Sequence, residues 1–237
     1  LHLPKCGGTS LSEAMYATVP VNQRIGVIDA VSTRRALAIE TFDKDDAFLC
    51  HEDLETGQMV FDLRETLMLQ HMAWDTMLIH GHVFWSDRAE RHFGDTYKYV
   101  TMMRDPLART VSNFRMAQRT GIVTGGIEEY LSSEVAKRHA RVFLRYLASR
   151  NDIPDADLPA AIELAKTRLE KFALIGFLDD IDSFFSRYRE IFGVSLRMSQ
   201  LNSAPDRKPD IPRAEMEVLR ALCAPDLEIF EHARSLR

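Results

Sequence analysis

The chain has 237 residues, 46% of them hydrophobic and 27% charged, with a formal net charge of -5. That length suits one large domain, and that composition excludes a disordered, collagen-like or coiled-coil chain. No apolar run approaches the ~18 residues of a membrane span, and a net acidic chain is a poor general binder of nucleic acid.

Leu1 to Leu3 read as the end of a strand whose natural start lies ahead of the chain. Pro4 to Gly8 is a tight loop. Ser10 to Val19 reads as a helix, with capping-box spacing between Ser10 and Glu13. Residues 21–60 are mixed and give no clear assignment. Phe61 to Trp74 is helical by the spacing of Leu63, Leu67 and His71/Met72, and Thr76 to His80 is a short β-type run. Asp87 to Phe93 is a short helix closed by Gly94. Tyr97 to Met103 has the near-continuous apolar content of a buried parallel strand. Asp105 then supplies an N-cap and Pro106 the first helical position, for a helix reaching about Gln118. Gly125-Gly126 breaks the chain, and two helices follow at about 127–150 and 157–171. Phe172 to Phe177 is a further strand and Asp179 to Phe192 a further helix. Asn202 to Pro212 is a polar, proline-rich loop, and two short helices divided at Pro225 end the chain.

Strands alternating with helices predict an α/β fold with a parallel sheet and crossover helices, in one domain over residues 1–237. Ligands of such folds bind beyond the carboxyl ends of the strands. Both of the strongest motifs fall there.

The first runs Pro4-Lys5-Cys6-Gly7-Gly8-Thr9-Ser10. Two glycines let backbone approach an anion closely, and the following helix start adds unpaired N–H groups and a positive dipole end. Thr9 and Ser10 add hydroxyls, and Lys5 a point charge. This suits a phosphate or sulfate group. It is not a Walker A loop, because Lys5 precedes both glycines instead of following the second. The second motif is Arg104-Asp105-Pro106-x-x-Arg109-x-x-Ser112. Arg104 leaves a strand end, and Ser112 lies two helical turns beyond the helix start, on the same side. An arginine fork and a hydroxyl make a second anion site. The third is His80-Gly81-His82, at the end of another strand. With extended backbone through Gly81, both imidazoles point to one side. Histidine is the usual general base at neutral pH, and two histidines without a third ligand make a poor zinc site. Cys50-His51-Glu52-Asp53 is read as no metal site either, since neighbours along a strand point to opposite faces.

Together these motifs resemble the sulfotransferases that use 3′-phosphoadenosine 5′-phosphosulfate (PAPS). His80-Gly81-His82 is similar to the His-Gly-His of the heparan sulfate and uronyl 2-O-sulfotransferases, which also precedes an Arg-Asp-Pro motif. The resemblance implies a P-loop-like three-layer fold with a central parallel sheet flanked by helices, and PAPS as donor with adenosine 3′,5′-bisphosphate as product. It implies that Lys5, Cys6, Gly7, Gly8, Thr9 and Ser10 hold the 5′-phosphosulfate, and that Arg104 and Ser112 hold the 3′-phosphate. Cys6 stands where threonine is commoner in the family. Residues 201–208 resemble a loop closing over the donor, through which Asn202, Arg207 and Lys208 could contact phosphate. His82 is the implied base, with His80 orienting substrate or partnering His82, and no metal is required. The acceptor implied is a hydroxyl compound, a glycan or glycolipid before a strongly anionic polymer, given the acidic chain. The alternatives are a nucleotide kinase on the same sheet, which should carry a Walker loop and magnesium ligands, and an inactive nucleotide-binding module. Three scattered cysteines and no N-x-Ser/Thr sequon favour a cytoplasmic setting, with the Golgi lumen as the alternative if an anchor has been removed.

Overall fold

The protein is described by a computed structural model covering residues 1–52, 54–197 and 211–236. In chain order the elements are α1 (Gly8–Tyr16), β1 (Ile25–Ile28), α2 (Ala30–Phe42), α3 (Leu49–Glu52), α4 (Leu54–Ala73), β2 (Leu78–Gly81), α5 (Asp87–Phe93) and β3 (Val100–Met103). They continue with α6 (Pro106–Arg119), α7 (Ile127–Leu131), α8 (Glu134–Ala140), α9 (Val142–Ala148), α10 (Leu158–Leu169), β4 (Leu174–Phe177), α11 (Ile181–Phe192), α12 (Arg213–Leu222) and α13 (Ala224–Ser235). Among the described residues no helix is long and apolar enough to cross a membrane.

The α/β character and the parallel pairing follow the sequence reading. The single central sheet does not. β1 pairs with β2, and β3 with β4, in two separate parallel pairs. Leu1–Leu3 is not assigned as a strand, yet it lies between the pairs. The Leu1 amine donates to Val100 O at 2.9 Å, and the His2 N–H donates to Gly81 O at 3.0 Å.

The strands are short and the helices carry the core. β4 is buried along its whole length (Leu174, Ile175, Gly176, Phe177), as expected of a parallel strand covered on both faces. The largest apolar cluster joins Leu3, Trp85, Met103 and Phe177 to α9, α10 and α13 through Phe143, Leu144, Leu169 and Ile229. Residues Phe143, Leu144 and Leu147 of α9 are fully buried, so this short helix is held by packing and not by its own propensity. The core places the carboxyl ends of β2 and β3 beside the loop at residues 4–8.

Several boundaries differ from the sequence reading, each for a local reason. The unassigned stretch holds β1, α2 and α3. Asp29 caps α2 by accepting from Val31 N at 3.1 Å and Ser32 N at 2.7 Å, a cap hidden among mixed residues. Residues 49–52 form a helical turn, not a strand, and Asp53 lies outside the described residues. The 127–150 helix is three helices. Ser133 caps the second, its hydroxyl accepting from Ala136 N at 3.2 Å. Ser10 does not cap α1. That helix begins at Gly8 on Gly7, whose φ of 78° is left-handed, a conformation that glycine adopts without strain.

Candidate functional site

The loop between Leu3 and α1 turns twice through left-handed backbone, at Lys5 (φ 63°) and Gly7 (φ 78°). The lysine conformation costs about 1 kcal/mol or more relative to an ordinary one. Asp43, Asp75 and Ser149 are left-handed as well, so this strain by itself marks no site. A Cβ at Gly7 would lie 2.7 Å from Leu178 Cδ1, the end of a side chain that can turn aside, so it is the positive φ that calls for glycine there. The first backbone bond of α1 is Leu11 N to Gly7 O at 3.4 Å. The N–H groups of Gly8, Thr9 and Ser10 therefore have no partner among the described residues. Three unpaired donors at the positive end of a nine-residue helix are the chemistry an anion cradle requires.

The remaining loop residues divide by exposure. Lys5 Nζ lies 3.6 Å from Met116 Sδ on α6, the helix that carries Arg109 and Ser112 of the second motif. The Cys6 thiol is 1% exposed, and burial pushes its pKa up to about 12. It faces inward towards Arg104 and Arg109, so the thiol is not available to an anion at the loop. Arg104 leaves β3 as expected and donates to Lys5 O at 3.5 Å. Ser112 is half-buried on α6, whose N-terminus is capped by Asp105 accepting from Ala108 N at 2.8 Å. Asn202, Arg207 and Lys208 lie outside the described residues.

His80 and His82 converge, and a third imidazole joins them. The His2 ring stacks on His82 with centroids 4.2 Å apart and planes at 22°, and meets His80 at 4.8 Å. His82 Nδ1 lies 2.9 Å from the His2 backbone oxygen. A carbonyl only accepts, so Nδ1 carries the proton and Nε2 holds the free lone pair of neutral His82. His80 Nδ1 lies 3.0 Å from the Tyr16 hydroxyl. Desolvation, foremost, lowers the pKa of both His80 and His82 to about 4, and lowers that of His2 further, with repulsion from its two neighbours adding to it. All three rings are neutral at pH 7. The stack is seated on the glycine loop, since a Cβ at Gly8 would fall 1.8 Å from His2 Nε2.

Arg64 fixes the backbone of His82. It is 4% exposed and donates to His82 O at 3.0 Å, Ala30 O at 2.9 Å and Thr33 Oγ1 at 2.9 Å, tying β2 to α2. Arg109, the other arginine of the second motif, has a structural role. Its side chain and that of Asp226 are both fully buried and paired at 3.1 Å. Asp226 also accepts from Phe143 N at 2.8 Å and Leu144 N at 2.9 Å, capping α9 from α13. Burial pushes the Asp226 carboxyl up to about 6, opposed by Arg109 and the two amides.

Sequence reasoning missed His2, Tyr16 and Arg64. His2 was open to discovery, because a strand ending in the loop puts its side chains next to that loop. Tyr16 and Arg64 gave no signal, since both act across helices far apart in sequence. Among the described residues, no group of three His, Cys, Asp or Glu side chains is arranged to hold a metal ion. In comparisons with known proteins, no family model matches the chain, and no curated protein matches it significantly.

Proposed function

We propose that this protein is a PAPS-dependent sulfotransferase that moves a sulfuryl group to an acceptor hydroxyl on a glycan or glycolipid. The observation that carries the proposal is the contact of a histidine stack with a glycine loop, through His2 Nε2 against Gly8. It brings a neutral imidazole alongside an anion cradle, the two halves that in-line sulfuryl transfer needs. The α/β class with parallel strand pairing supports the reading only at that level, since the strands pair as β1–β2 and β3–β4 and not as one central sheet.

In this reading the Gly8, Thr9 and Ser10 amides hold the phosphosulfate of the donor, and Arg104 with Ser112 holds the 3′-phosphate. His82 Nε2 takes the acceptor proton as the hydroxyl oxygen attacks sulfur. The bond from sulfur to the phosphate oxygen breaks, and negative charge develops on that oxygen. Lys5 and the loop amides stabilise it, an electrostatic contribution worth about 100- to 1000-fold per donor in comparable oxyanion sites. His80, held by Tyr16, orients the acceptor.

The test is incubation with sulfur-labelled PAPS and a panel of glycan, glycolipid and phenol acceptors. Label transferred to an acceptor, and lost in the His82→Ala variant, supports the reading. Binding of adenosine 3′,5′-bisphosphate with no transfer to any acceptor would support an inactive module, and phosphoryl transfer from ATP a kinase.

A further inference from the structure

Beyond the carboxyl end of β2 the chain runs through His82 and Val83 to Phe84 and Trp85. Both aromatic residues are buried, and with Phe61 they give a cleft of about 260 Å³ its apolar floor. The cleft adjoins the histidine site. Phe84 lines it and also lines the cavity that holds His2 and His80. A stack of rings continues the link. The Phe84 ring lies on Phe61 with centroids 3.6 Å apart and planes at 8°, and the guanidinium of Arg64, which holds the His82 carbonyl, lies 4.8 Å from the Phe61 ring. Ligands of parallel α/β folds bind beyond such strand ends.

The rim of the cleft is charged, and most of its charges are matched. Arg88 donates to both carboxylate oxygens of Glu65, and Arg168 donates to Asp87. Asp62 accepts from Gln58 Nε2 at 3.0 Å and is the rim carboxylate without a cationic partner among the described residues. Bonding capacity is left over. A carboxylate accepts about four hydrogen bonds and a guanidinium donates about five, so Asp62, Glu65 and Arg88 keep spare acceptors and spare donors.

These features decide between ligand classes. An anion meets carboxylates and two arginines that are already neutralised. A hydrocarbon strips water from the charged rim and replaces none of its hydrogen bonds. An aromatic base finds the Phe61 ring already overlain by Phe84 and Arg64. A cation finds only exposed Asp62 unmatched, where attraction is weak. A sugar ring meets every demand, because its hydroxyls both donate and accept while its C–H groups rest on the aromatic floor. The volume lies below the ~300–1,000 Å³ of sites for drug-sized ligands, which limits the occupant to one ring.

We propose that this cleft binds one uncharged sugar ring of the acceptor, beside the ring that is sulfated. The place of that ring in an acceptor rests on the sulfotransferase reading; the binding of the sugar does not.

Trp85 reports on the cleft, since its indole N–H donates to Asp87 Oδ1 at 2.7 Å. The chain has two tryptophans, so Trp74→Phe assigns the indole resonances. Nitrogen-15-labelled protein without donor is titrated with methyl β-glucoside, methyl β-galactoside and N-acetylglucosamine, beside glucuronate and hexanol. At least one neutral sugar is expected to shift the Trp85 indole resonance saturably, and to bind more tightly than glucuronate or hexanol. The Asp62→Ala/Arg88→Ala variant is expected to weaken that binding about tenfold or more, with the rest of the spectrum as in the parent. If the double variant fails to fold, Asp62→Ala alone, at an exposed carboxylate, carries the comparison. No shift with any neutral sugar, tighter binding of glucuronate or hexanol, or undiminished binding in the variant would overturn the proposal. This titration needs neither donor nor turnover, so its failure is distinct from failure of the PAPS transfer assay. In that assay the same variant is expected to raise KM for a glycan acceptor, with kcat and the Kd for adenosine 3′,5′-bisphosphate unchanged.

Discussion

The ring of His2 stacks on His82 at 4.2 Å while its backbone oxygen accepts the His82 Nδ1 proton at 2.9 Å, so one residue fixes both the plane and the tautomer of the other. His82→Ala is expected to lower kcat by about 100-fold or more, the range for loss of a general base, with the Kd for adenosine 3′,5′-bisphosphate unchanged. Single-turnover kinetics and titration calorimetry read the two quantities separately. His2→Ala, which removes only the stack, is expected to lower kcat less than His82→Ala and to leave that Kd unchanged.

The depressed histidine pKa values set a pH dependence with a definite sign. Between about 4 and the usual value near 6.5, the unfolded chain binds protons that the folded chain refuses. Stability is therefore fully present above pH 6.5 and falls as pH drops towards 4. Tm measured from pH 8 to pH 5 is expected to decline below 6.5, and the decline should shrink when His80 and His82 are replaced by Asn. The acid limb of kcat/KM, which reports the free enzyme, is expected below pH 5.

Arg109 and Asp226 form a buried pair whose disruption leaves a charge with no solvent. Asp226→Asn is expected to destabilise the fold by about 3–5 kcal/mol, the usual result of breaking such a pair, measured by urea unfolding. The double variant Arg109→Met/Asp226→Leu should lose less than the sum of the single replacements, because it leaves no orphaned charge.

Arg104 donates to the Lys5 carbonyl beside the anion cradle. Arg104→Ala is expected to weaken bisphosphate binding by about 10- to 100-fold, from the ~1.5–3 kcal/mol of a hydrogen bond to a charged group. Calorimetry at fixed salt checks this, and an unchanged Kd would remove Arg104 from the donor site.

The parts of this site that the sequence disclosed are those in which local chemistry carries the signal. Gly7 and Gly8 before a helix, Pro106 after Asp105 and the His80-Gly81-His82 spacing each specify a backbone geometry within a few residues. The parts it hid depend on distant contacts. Arg64 reaches His82 across 18 positions, and Asp226 meets Arg109 across 117, with nothing local to mark either. The capping-box reading of Ser10 was overridden by Gly7, since a left-handed glycine let the helix start two residues earlier. The mixed composition of residues 21–60 concealed β1 for a similar reason: Val27 is exposed and Ile28 buried, and alternation over four residues is too short to stand out.

The most direct measurement is titration calorimetry of the wild-type protein with adenosine 3′,5′-bisphosphate, run beside ATP with magnesium. One saturating site for the bisphosphate, weakened in Lys5→Ala and Arg104→Ala and much tighter than for ATP, is the expected result. No binding of the bisphosphate, or tighter binding of magnesium ATP, would contradict a sulfuryl-donor site at this loop.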